Sequence, residues 1–166
     1  MGPIQPAGDR LRARAAVPRK GDSRVERQRM RESHAMSTRM RIELQAVPDR
    51  VPAARGAITR LCEHLEIEDG LAADIRLAVT EACANCVLHA YEDGGPEDAR
   101  FALEARVEDD SLLVVVRDCG SGDLRSSRGS AGLGFGLGLM RQVSSNLDVV
   151  ARPGRGTRVA MRFALR

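Results

Sequence analysis

The chain has 166 residues, 43% hydrophobic and only 2% aromatic, with 26 Lys/Arg against 23 Asp/Glu for a net charge of +3. That is enough for one domain with a sizeable core plus a surplus, and the core must be built from Leu, Val, Ile and Ala. No apolar run approaches the roughly 20 residues of a membrane span and no signal-peptide pattern opens the chain, so a cytoplasmic protein without membrane contact is expected, and so few aromatics offer no platform for stacking nucleic-acid bases.

Charge is unevenly spread. Residues 1–40 hold ten Lys/Arg against four Asp/Glu, which leaves residues 41–166 net acidic. The first segment has no sustained apolar periodicity and is broken by Gly2, Pro3, Pro6, Gly8, Pro18 and Gly21. It is expected to be a disordered basic arm. Such an arm could touch nucleic acid or an acidic partner, or be translated sequence upstream of a start at Met36 or Met40. A nonessential tail is the preferred reading, with the folded domain over 41–166.

Within that domain, residues 41–47 alternate Ile42, Leu44 and Ala46 with polar neighbours, the pattern of a half-buried strand ended by Pro48. Asp49 is expected to cap a helix starting near Val51, with Pro52 in its first turn, running to about Glu66 and burying Ala54, Ile58, Leu61 and Leu65. Asp69–Gly70 is expected to break the chain before a central helix over Asp74–Tyr91. The turn formers EDGGPED follow, then strands over Phe101–Val107 and Leu112–Arg117 around a tight Asp109–Asp110 turn. LLVVV is apolar on both faces, so the second of these strands should be central in its sheet. Residues 123–131 are polar, and GLGFGLGLM leads into a short helix ending near Ser145. A strand over Leu147–Ala151, a turn at Pro153–Gly156 and a last strand over Thr157–Phe163 complete the domain. The order predicts an α/β (α+β) two-layer sandwich, a mixed sheet covered on one face by helices.

The central helix carries Glu81, Asn85 and His89 at successive steps of four, on one face. Ile75, Ala78, Val79, Ala82, Cys83, Cys86, Val87 and Ala90 cover much of the rest, so an acid and an amide stand on a largely buried helix. Either they are exposed or bonded to a neighbouring loop, or they serve a site, because an unpaired buried polar group costs roughly 1–3 kcal/mol. Cys83 and Cys86 form a C-x-x-C pair, but no second pair or His pair completes a zinc site, and both are expected to be small buried hydrophobes.

Two further pieces bear on that choice. Asp118-Cys119-Gly120-Ser121-Gly122 follows a buried strand, and Gly132, Gly134 and Gly136 open a helix. An amide oxygen such as that of Asn85 can ligate Mg²⁺, which shares its oxygen ligands with phosphates. Glu81, one turn earlier, can accept a proton from a hydroxyl attacking a γ-phosphate. Asp118 can accept from an exocyclic amine such as that of adenine, Gly120 and Gly122 allow a sharp turn beside a flat ligand, and main-chain N–H groups at a helix start favour phosphate. There is no GxxxxGK[ST], and the glycine run comes late with no βαβ unit around it, which excludes P-loop and dinucleotide-binding readings.

These pieces resemble the ATP-binding fold shared by gyrase, Hsp90, histidine kinases and MutL, and within it the bacterial anti-sigma factor serine kinases of the sporulation and general-stress type. TEACANCVLHAY, VVVRDCGSG, GFGLGLM and RGTRVAM match four boxes of that group, and the likeness covers roughly Arg41 to Phe163. The resemblance implies a histidine-kinase-like ATPase fold and a protein serine/threonine kinase using ATP and Mg²⁺. Such a protein phosphorylates an anti-anti-sigma protein, sequesters a sigma factor and forms a homodimer. It implies Glu81 as general base, Asn85 as the Mg²⁺ ligand, Asp118 as the adenine acceptor and Thr157 as support for that end of the pocket. Gly120, Gly122, Gly132, Gly134 and Gly136 would shape the nucleotide site, and Arg55 would engage the substrate protein. His89 belongs to the first box and is given a structural role. Nine residues separate Gly122 from Gly132, a shorter lid than the best-known members carry. The alternative is therefore a nucleotide-binding module that sequesters a partner without efficient phosphotransfer. A stand-alone histidine-kinase catalytic domain is disfavoured by the EAxxNxxxHAY pattern.

Overall fold

A computed structural model describes residues 39–89, 98–122 and 133–165. Most of the basic arm, the segment from Ala90 through Tyr91 to residue 97, the polar stretch 123–131 and Gly132 lie outside the described residues. In chain order the elements are β1 (Arg39–Gln45), a 3-10 turn (Pro48–Arg50), α1 (Val51–His64), α2 (Asp69–His89), β2 (Arg100–Glu108), β3 (Ser111–Asp118), α3 (Leu133–Val143), β4 (Asn146–Arg152) and β5 (Gly156–Ala164). No helix among the described residues is long and apolar enough to cross a membrane.

The strands form one sheet in the order β1-β2-β3-β5-β4, and every neighbouring pair is antiparallel. The expected mixed sheet is therefore corrected. The connection β3–α3–β4 does return the chain in the same direction, as a helical crossover should. It skips one position, however, and β5 fills the gap, so the two like-directed strands never touch. As expected, β3 is central: Leu112, Val114 and Val116 on one side and Leu113 and Val115 on the other are all buried.

One face of the sheet carries the helices. Ile58 of α1, Ile75, Val79 and Cys83 of α2 and Met140 of α3 share a core with Phe101, Leu103, Val114, Val116, Met161 and Phe163. Fully burying a side chain of this kind is worth roughly 1.5–3 kcal/mol. On the outer face, Leu113, Val115 and Ala160 make a small second cluster among charged neighbours. Glu104, only 7% exposed, is held between Arg41 at 3.4 Å and Arg117 at 3.8 Å, so its charge is not left unpaired. Glu108 is shared by Arg106 and Arg162, each at 2.7 Å. These partly exposed pairs stabilise by roughly 0–1 kcal/mol each, so apolar packing outweighs them.

The helix ends differ from expectation in three places. Asp49 does not cap α1: it lies in the 3-10 turn, and the capping position is Arg50, without a side-chain cap, although Pro52 does sit in the first turn. The break after α1 is at Glu66, not at Asp69–Gly70. Glu66 adopts φ +51°, and Ile67 N–H donates to Cys62 O at 3.0 Å while Glu66 N–H donates to Glu63 O at 3.1 Å. This is a Schellman closure with glutamate where glycine is usual. Helix α2 then starts at Asp69 rather than Asp74, because the Glu68 carboxylate accepts the N–H groups of Gly70 and Leu71 at 3.0 and 3.2 Å. Those two bonds hold the Glu68 carboxyl below the usual glutamate range.

Candidate functional site

Four stretches far apart in sequence meet where α2, α3 and the lower ends of β3 and β5 come together. Helix α2 supplies Glu81 and Asn85, both half-buried, on one face as the step of four requires. Helix α3 seats its Gly136 directly on them. A Cβ on Gly136 would lie 2.9 Å from Glu81 Oε2 and 3.5 Å from Asn85 Nδ2. Gly136 is the fourth residue of α3, and the closeness of Glu81 and Asn85 requires that it carry no side chain. Gly134 is in the first turn of α3, while Gly132 lies outside the described residues.

The end of β3 is clamped to the β4–β5 turn. Gly122 has φ +62°, and a Cβ there would stand 2.1 Å from Arg152 O; Gly156 has φ +84°, and a Cβ there would stand 2.1 Å from Asp118 O. Both therefore need glycine for conformation and for space. Gly154 N–H closes the contact by donating to Ser121 O at 2.7 Å. Asp118, 7% exposed, is satisfied on both oxygens. Its Oδ1 accepts Gly120 N–H at 2.9 Å and Thr157 N–H at 3.1 Å, and its Oδ2 accepts the Cys86 thiol at 3.6 Å. Thr157 thus supports this end through its main chain. The carboxylate is fixed before any ligand arrives, as a recognition acceptor should be.

Cys86 is the residue that sequence reasoning missed. The C-x-x-C pair is reduced and buried, as expected, but Cys86 also links the first box to the second. Burial, and next the negative charge of Asp118, push its thiol well above the ordinary value. Helical periodicity does not encode this contact, because it depends on how closely α2 packs on the end of β3. Arg55 is exposed on α1, and no described hydrogen bond or ion pair joins its side chain to the other candidates. Among the described residues, no three His, Cys, Asp or Glu side chains gather as a metal site. An Mg²⁺ ion held by the Asn85 amide oxygen would take its remaining ligands from water and phosphate. That donor set fits a hard cation that keeps water and phosphate ligands.

A family model described as the histidine kinase-like ATPase domain matches residues 44–163. An anti-sigma F factor of Caldanaerobacter subterraneus is 30% identical over 120 residues, covering 65% of this chain and 80% of that protein. The serine-protein kinase RsbW of Bacillus pumilus is 33% identical over 95 residues, covering 49% of this chain and 59% of that protein. Among solved structures, the SiaB–SiaC complex from Pseudomonas aeruginosa matches with a TM-score of 0.61 at 16% identity, covering 84% of this chain and 98% of that one, a likeness of fold. Four sequence boxes brought to one place, on this antiparallel sheet and its helical layer, agree with these matches: the chain belongs to the histidine kinase-like ATPase family, among the anti-sigma factors and their serine-protein kinase relatives.

Proposed function

We propose that this protein is an ATP-dependent protein serine/threonine kinase and anti-sigma factor, which phosphorylates an anti-anti-sigma protein and sequesters a sigma factor, working as a homodimer. The observation that carries this reading is the contact of Gly136 with both Glu81 and Asn85, beside an Asp118 carboxylate already held by Gly120 and Thr157. Asp118 accepts from the adenine amine. Asn85 would hold Mg²⁺, which when bound would neutralise charge on the phosphates. Glu81 takes the proton of the attacking serine hydroxyl as its oxygen bonds to the γ-phosphorus and the bond to the bridging oxygen of the leaving ADP breaks. Arg55, exposed on α1, contacts the substrate protein. Two proteins competing for one nucleotide-dependent surface make a partner switch.

The test is incubation of the full chain with Mg²⁺, γ-labelled ATP and candidate antagonist proteins. Label is expected on a serine or threonine of one candidate and is expected to vanish with Glu81→Gln, while calorimetry shows ATP still bound. Asn85→Ala is expected to weaken Mg-ATP binding. Equal transfer by Glu81→Gln and wild type would remove the base role. Clear nucleotide binding without label on the true partner would leave the sequestering module, which the nine-residue spacing of Gly122 and Gly132 favours.

A further inference from the structure

The two thiols of the C-x-x-C pair have different surroundings. Cys83 lies in the apolar core, and burial alone pushes it up to about 12. Cys86, one turn on and 4% exposed, has its sulfur 3.6 Å from Asp118 Oδ2. Asp118 Oδ1 is already taken by the N–H groups of Gly120 and Thr157. Rotation of the carboxylate about its last torsion is therefore set by two N–H groups on one oxygen and one S–H on the other. An oxygen with one lone pair occupied presents the remaining one in a defined direction. At this distance the Cys86 S–H is the donor and the carboxylate oxygen the acceptor.

We propose that Cys86 is a positioning residue for base recognition, its S–H orienting Asp118 Oδ2 toward the exocyclic amine of a bound adenine. The proposal rests on the reading of Asp118 as the adenine acceptor. Its effect is modest, because a thiol is a weak donor. Its direction is specific: the loss falls on the amine contact and not on nucleotide binding at large.

The experiment uses the full chain with Mg²⁺ and two probes, ATP and purine riboside triphosphate, which lacks only the 6-amino group. Calorimetry gives the ratio of the two Kd values for wild type, Cys86→Ala and Cys86→Ser. Wild type is expected to prefer ATP. In Cys86→Ala the preference is expected to fall about three- to tenfold, the worth of one hydrogen bond, with little change for purine riboside triphosphate. Cys86→Ser, which keeps a donor, is expected to restore most of it. An equal loss for both nucleotides would make Cys86 a packing residue and overturn the proposal, as would an unchanged preference. Should Cys86→Ala fold poorly, Cys86→Val removes the donor while keeping bulk, and the same outcomes apply. A wild type that binds both nucleotides alike would overturn the adenine role of Asp118, and the Cys86 proposal with it.

Discussion

Gly156→Ala tests the clamp between β3 and the β4–β5 turn, and Gly154→Ala is its internal control. Both glycines are in the left-handed region, at φ +84° and +70°, where an L side chain costs roughly 1–2 kcal/mol. At Gly154 a Cβ meets nothing within 4 Å, so the cost should end there. At Gly156 the Cβ would stand 2.1 Å from Asp118 O, 2.7 Å from its carbonyl carbon and 2.8 Å from Cys119 Cα. These are backbone atoms that cannot swing aside, and overpacking of this kind adds roughly 1–3 kcal/mol. Gly156→Ala should therefore cost about 2–5 kcal/mol, a large share of the roughly 5–15 kcal/mol that stabilises a typical domain. Relief of the clash would also carry the Thr157 N–H away from Asp118 Oδ1, now at 3.1 Å. Urea denaturation followed by circular dichroism, without nucleotide, gives both losses at a common slope. Equal losses for the two variants would show that the turn is not seated against Asp118 as described.

Glu68 should give α2 a pH-dependent start. Its carboxyl is held low by the Gly70 and Leu71 N–H groups, so its contribution is complete above the ordinary value of 4.5 and is lost as the pH falls through the depressed folded value. Wild type is expected to melt above Glu68→Ala at pH 7, with the gap narrowing in acid; a gap that widened in acid would refute the sign. Thiol accessibility offers a separate check. Cys119 is the exposed cysteine, whereas Cys62, Cys83 and Cys86 are buried, and burial raises all three thiols. Iodoacetamide at pH 8 should modify Cys119 first and the others only on unfolding. Labelling of Cys83 as fast as Cys119 would contradict the packing of α2.

Much of the candidate site was legible because its parts are local. A step of four on one helix is enough to put Glu81 and Asn85 on one face, and an apolar LLVVV run is enough to make β3 central, since both follow from backbone periods of 3.6 and 2. The four boxes were recognisable as strings. The stop near Glu66 was legible, but the start of α2 was not, because glycine and proline are the usual punctuation and here the Glu68 carboxylate holds the helix start. Nor was the sheet's direction: hairpin-joined strands with helices clustered in sequence suggested a mixed sheet, but the place where β5 inserts is a long-range choice made by packing.

By itself, then, the sequence determined the elements, the face of α2 that carries an acid and an amide, the clamp glycines as turn formers and the family that these motifs resemble. These are properties of neighbouring residues, and local sterics and hydrophobic periodicity decide them. Only the tertiary structure decided that Gly136 closes on Glu81 and Asn85, that Gly122 and Gly156 are tight contacts as well as turns, and that Cys86 meets Asp118. Those contacts join residues 30 or more positions apart in the chain. Their distances follow from how helices seat on a sheet, which no local pattern encodes.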